Sequence, residues 1–93
     1  MQEIYIINKL STYNYQAANA LTSGFGWLTI EECRQEMEKI KHEYASKGYT
    51  VEKETETQII LRYIDYDEYE SYNHARIAIK DIILNIEKIT IEK

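Results

Sequence analysis

The side chains in this chain that are equipped for covalent or metal chemistry are few and scattered. They are one cysteine, Cys33, two histidines, His42 and His74, and the acids around Asp65 and Asp67. A nucleophilic thiol needs a base within hydrogen-bond reach. On a helix rising about 1.5 Å per residue, His42 would lie about 13 Å beyond Cys33, so it is not that base, and His74 would approach only through the tertiary fold. Cys33 reads instead as a small buried hydrophobe on an apolar stripe. The histidines have no HxxxH, HExxH or CxxC context, so no zinc site is expected. Asp65-x-Asp67 invites a calcium loop, but the sixth position is Glu70 where the loop needs glycine, and the twelfth is Arg76 where it needs glutamate. Ser23-Gly24-Phe25-Gly26-Trp27 is too poor in glycine to cradle phosphates. No catalytic residue, metal or cofactor follows from these residues, and the chain reads as non-enzymatic.

Binding chemistry is better represented. The net charge is −5, from 16 acids and 11 bases. Glu52, Glu54, Glu56, Asp65, Asp67, Glu68 and Glu70 face only Lys53 and Arg62 within residues 52–70, so that segment accounts for the whole imbalance. Tyr63, Tyr66, Tyr69 and Tyr72 are interleaved with the last four acids. Tyrosine supplies rigid contact area with a polar tip, and carboxylates attract Arg and Lys on a partner. The partner-binding set is therefore Glu52, Glu54, Glu56, Asp65, Tyr66, Asp67, Glu68, Tyr69 and Glu70. An acidic field disfavours direct contact with nucleic acid. It suits a basic protein, a nucleic-acid-binding host protein among them, whose phosphate site the carboxylates would occupy by mimicry. The bland alternative is a capped helix start with half-buried tyrosines and solvated acids.

These residues need a scaffold, and 93 residues, 44% of them hydrophobic, suffice for one domain, residues 1–93. A single cysteine excludes an internal disulfide framework and fits a reducing cytoplasm. The first ten residues lack the basic and apolar regions of a signal peptide, and no apolar run is long enough for a membrane span. Residues 3–9 read as a strand apolar on both faces. Residues 11–27 stay open between helix, strand and loop. Thr29-Ile30-Glu31-Glu32 is a capping box. Ile30, Cys33, Met37, Ile40 and Tyr44 then form a helical stripe that Gly48 ends. Residues 49–54 and 57–64 read as a polar and an apolar strand. Asp67-Glu68-Tyr69-Glu70 has capping-box spacing, and Tyr72, Ala75, Ile79, Ile82, Ile83 and Ile86 share one helical face, with Ile77 and Leu84 as a second stripe. A long strand over residues 75–91 competes, because isoleucine favours strands. Residues 88–92 alternate as a closing strand. The favoured order is β-α-β-β-α-β: a single α+β domain, a ferredoxin-like antiparallel sheet with two helices on one face.

Ile4-Tyr5-Ile6-Ile7-Asn8-Lys9-Leu10 resembles the first-strand motif of RNA-recognition domains, which share that topology. The resemblance implies base stacking on Tyr5, but residues 57–64 lack the glycines and phenylalanines of the partner motif. In size, charge and AT-rich codon usage the chain is similar to small acidic phage inhibitors of host defence, anti-CRISPR proteins included, although no residue motif ties it to any such family. The leading expectation is thus a phage or mobile-element inhibitor of DNA-mimic type that occludes a basic host protein in the cytoplasm. Two alternatives accompany it. One is a structural or regulatory homo-oligomer, the other a small-ligand or nucleotide binder on an open sheet face. Tyr5, Phe25, Trp27, Tyr63, Ile77 and Leu84 would supply the oligomer or ligand surface.

Overall fold

A computed structural model describes residues 2–23, 26–71 and 74–91, with backbone alone at 18, 66–71 and 74–77. The elements are β1 (Gln2–Tyr13), β2 (Gln16–Thr22), α1 (Ile30–Ala45), β3 (Thr50–Glu54), β4 (Gln58–Ser71) and β5 (His74–Ile91). All five strands belong to one antiparallel sheet in the order β2-β1-β5-β4-β3.

This corrects the ferredoxin-like expectation. The order is β-β-α-β-β-β, with one helix among the described residues. The region expected to be the second helix is strand on both sides of residues 72–73. The competing long-strand reading of residues 75–91 is the one the fold adopts, and residues 88–91 are the end of that strand. The reason is tertiary. β5 runs through the centre of the sheet, with Gln2–Tyr13 of β1 paired to Lys80–Ile91 on one side. On the other side Gln58–Asp67 of β4 pairs with Arg76–Asn85. β5 carries isoleucines on both faces, Ile82 and Ile86 toward the helix and Ile79 and Ile83 away from it, so they also fit a helical projection.

Residues 11–22 resolve into the β1–β2 hairpin. Asn14 and Tyr15 have φ of 50° and 68°, and Tyr13 pairs with Gln16, which makes a two-residue turn of the mirror-image type that matches strand twist. The Asn14 N–H donates to Ile79 O, and Asn14 Oδ1 accepts from the Ile79 N–H, both at 2.8 Å. The turn therefore bonds to β5 where β1 runs out.

α1 follows its sequence signals closely. The Thr29 hydroxyl accepts the Glu32 N–H at 3.2 Å. It donates to the Glu32 carboxylate at 3.0 Å, so that carboxylate bonds the cap's side chain. Glu31 and Glu32 oppose the positive end of the helix dipole. After the Ser46 C-cap the chain leaves through Gly48 at φ +98°, where a Cβ would meet the Tyr63 ring at 3.2 Å.

The helix lies on one face of the sheet. Cys33 and Met37 pack with Ile7 of β1, Ile59 and Leu61 of β4, and Ile82 and Leu84 of β5. Tyr5, Trp27, Ile40, Tyr44, Tyr49 and Ile86 close around that core. Cys33 is fully buried, and burial raises its thiol pKa, with Glu36 adding to the shift, so the thiolate is disfavoured. No helix among the described residues is long and apolar enough to cross a membrane.

Candidate protein-binding surface

The acidic residues occupy two connected places. The first is the β3 edge, exposed along its whole length. Glu54 reaches back to the helix, where Lys41 Nζ lies 3.2 Å from Glu54 and 2.8 Å from Glu38. The Thr50 hydroxyl donates to Glu52 at 3.2 Å. Glu56 sits in the β3–β4 turn, where the Thr55 hydroxyl accepts the N–H groups of Thr57 and Gln58. Charges along a sheet edge also discourage unintended strand pairing.

The second place is the far half of the β4–β5 hairpin. β1 stops at the Tyr13–Lys80 pair and β3 at the Thr50–Arg62 pair. Beyond them β4 and β5 pair only with each other, from Asp65–Ala78 and Tyr66–Ile77 through Asp67–Arg76 to Ser71–His74. At about 3.3 Å per residue this ribbon extends about 20 Å past the sheet. The overall dimensions agree: the long axis is 62 Å and the radius of gyration is 16.2 Å, against about 12 Å for a compact chain of this length. Asp65, Tyr66, Asp67, Glu68, Tyr69 and Glu70 all lie on the outgoing strand of this arm. Asp65 stands 3.6 Å from Lys80 at the arm's base. The side chains of residues 66–70 lie outside the described residues.

Of the expected oligomer or ligand surface, Leu84, Tyr5, Trp27 and Tyr63 fall on the helix side of the sheet. Leu84 is wholly buried under α1. Tyr5 and Trp27 also lie on the helix side, joined by backbone hydrogen bonds of 2.8 Å in both directions. The Tyr63 ring packs at 5.4 Å against Tyr49, tilted by 40°, and Tyr49 meets Tyr44 edge-on at 5.1 Å. Burial raises the Tyr49 pKa, the largest cause of its shift. The Ile77 side chain lies outside the described residues, and so does Phe25. A shallow groove of about 340 Å³ opens between α1 and β2, walled by Ile7, Leu21, Trp27, Ile40 and Tyr44. Lys9 Nζ donates to the Tyr44 hydroxyl there at 3.0 Å. Among the described residues no three His, Cys, Asp or Glu side chains converge as metal ligands.

Two interactions escape a linear reading of the chain. Arg62 grips Asp81 through Nε at 2.8 Å and Nη2 at 3.1 Å, and the guanidinium lies 5.6 Å from the Tyr15 ring centre. The hydrogen bond it donates to Asp81 raises the Arg62 pKa above its ordinary value. Arg62 and Asp81 each stand among isoleucines and leucines in neighbouring strands, and opposite signs placed so are the usual mark of a cross-strand pair. The other is the Lys41 clamp. The hydrogen bond from Lys41 holds the Glu38 carboxyl below its ordinary pKa, and the same bond raises Lys41. A depressed carboxyl contributes stability above its unfolded pKa of about 4.3 and loses it as pH falls through the folded value. The wild type should therefore lose thermal stability more steeply than Lys41→Met as pH drops from about 5 to about 3. Glu38 is 42% exposed, so screening keeps the difference to about 1–3 °C. Parallel melting curves across that range would contradict the clamp.

No family model matches the chain, and neither does any curated protein or solved structure.

Proposed function

We propose that this protein is a non-enzymatic binding module that engages a basic protein through the β4–β5 arm and the adjoining β3 edge. One observation carries the reading: the segment that holds the whole net charge lies on a ribbon projecting beyond the sheet and on the strand beside it. Four acids within six residues are thereby set away from the body, where Arg and Lys of a partner meet them without displacing core contacts. Carboxylates two residues apart on a strand recur about every 6.7 Å. A row of anions of that kind fits a cationic groove that otherwise takes nucleic acid, and the action is occlusion of that groove. The tyrosines between the acids supply contact area once the charges have steered the encounter.

Affinity capture from extracts of the native host tests this reading. Wild type is compared with the variant Asp65→Asn, Asp67→Asn, Glu68→Gln and Glu70→Gln at about 50 and about 300 mM salt. A basic protein should be retained by wild type at low salt, weakened at high salt and lost from the variant. Equal retention by both forms, insensitive to salt, would rule out the acidic arm as the contact.

A further inference from the structure

The sheet face turned away from α1 is separate from the acidic arm. Strand alternation and the pairing register place Leu10, Ile83 and Ile60 side by side across β1, β5 and β4 on that face. Ile79 and Ile64 form a further apolar pair four residues along, beyond the Arg62–Asp81 pair. Ile64 is 40% exposed and the other four are partly buried. No described element crosses this face, since the chain's one described helix packs on the opposite side.

The polar side chains on the face are already bonded to one another. Gln58 Nε2 donates to Asn85 Oδ1 at 2.9 Å. The Thr22 hydroxyl donates to Asn8 Oδ1 at 3.0 Å, and Asn8 Nδ2 donates to the Glu87 carboxylate at 2.6 Å. Arg62 and Asp81 form the bidentate pair, and Asp81 is only 6% exposed. Each of these groups thus keeps a partner when the face is covered, which lowers the cost of burying it. Charge on the face is nearly balanced: Lys53 and Arg62 stand against Asp81, Glu87 and the neighbouring Glu52. Such a face meets its own copy without the repulsion that the acidic arm would bring.

We infer that this face packs against the same face of a second copy of the chain, as a two-fold, sheet-on-sheet dimer with the helices outside. The area is of the required size. Five strands about 4.8 Å apart and roughly 30 Å of strand length give roughly 700 Å² per copy. Stable interfaces bury about 800 Å² per partner. Two twisted sheets stack about 10 Å apart with strands within about 30°, so the Leu10–Ile83–Ile60 rows interdigitate at the centre. Tyr15, 65% exposed and seated over Arg62, forms the rim.

Light scattering on the isolated protein tests this with no basic partner present, so its outcome is separate from that of the arm. The expected mass is twice 11.1 kDa at micromolar concentration. Ile60→Lys with Ile64→Lys should give a monomer with an unchanged far-UV spectrum. If that variant does not fold, the milder Ile60→Thr with Ile64→Thr decides, since threonine keeps the strand preference. It should raise the dimer dissociation constant at least about tenfold. A wild-type monomer at about 0.5 mM would overturn the inference. So would a folded threonine variant that dimerises as tightly as wild type, because the contact would then lie elsewhere, such as the β2 edge.

Discussion

Replacing Leu84 with alanine should cost about 3 kcal/mol of stability, within the range of about 2–5 kcal/mol for a fully buried leucine. Leu84→Glu should leave the chain unfolded at room temperature. Leu84 is at the middle of β5, paired with Lys9 on one side and Ile59 on the other. Its side chain has no exposed surface and belongs to the cluster with Met37, Cys33 and Leu61. Truncation removes contacts with both the helix and the two neighbouring strands, and a packed core does not collapse freely into the space. A carboxylate there would be stripped of water among Met37, Cys33 and Leu61, at a cost that exceeds what a domain of about 5–10 kcal/mol can tolerate. Denaturant melts read the effect directly. Ile91→Ala serves as the reference, because Ile91 lies at the end of the same strand and is 39% exposed. If Leu84→Ala matched that reference within about 0.5 kcal/mol, Leu84 would be a surface residue and β5 would not be the centre of the sheet.

That expected loss also marks the point where local reasoning stopped being sufficient. On a helical projection Leu84 falls outside the main stripe and looks available to a partner. In a strand flanked on both sides it is core. The segment from His74 to Ile91 satisfies both patterns, because a strand with two apolar faces puts apolar residues at spacings of two, three and four alike. Its 18 residues also exceed the usual strand of about 5–6, so length favoured a helix. The deciding fact was the availability of β1 and β4 as partners, with β1 67 to 89 residues away along the chain (Tyr13 to Lys80 and Gln2 to Ile91) and β4 up to 27 (Gln58 to Asn85). Asp67-Glu68-Tyr69-Glu70 fails for the same reason: a capping-box spacing is a local preference of about 1 kcal/mol, and pairing with β5 outweighs it.

Other parts were legible. Thr29, the stripe from Ile30 to Tyr44 and the stop at Gly48 are local signals, and α1 obeys them. Residues 3–9 and 58–64 are strands, as their β-branched composition indicates. β2 was not legible. Its alanines and asparagine carry little strand preference, and its turn uses Asn14-Tyr15, where Asn-Gly would have been recognised. The location of the net charge could be read from residues 52–70 alone. Its carrier could not: a helix cap would have held Asp65 to Glu70 against the body, whereas the hairpin carries them outward.

The second large effect concerns that hairpin. Joining Tyr66 to Ile77, a register pair, through Asn-Gly in place of residues 67–76 removes Asp67, Glu68, Glu70 and the tip of the arm. An Asn-Gly turn closes two strands in the mirror-image geometry. The excised ribbon pairs with no other strand, and a two-stranded ribbon adds little stability in water. The melting temperature should therefore stay within about 5 °C of wild type. Binding should not survive. With three of the arm's four acids and its interleaved tyrosine contact area gone, affinity for the basic protein recovered by capture should fall at least about 100-fold.

Calorimetric titration of that partner into the arm-shortened protein is the most direct measurement of the central claim. Loss of detectable binding by a protein that melts like wild type is the expected result. Affinity within about twofold of wild type would show that the partner is held elsewhere and that the acidic arm is not the functional surface.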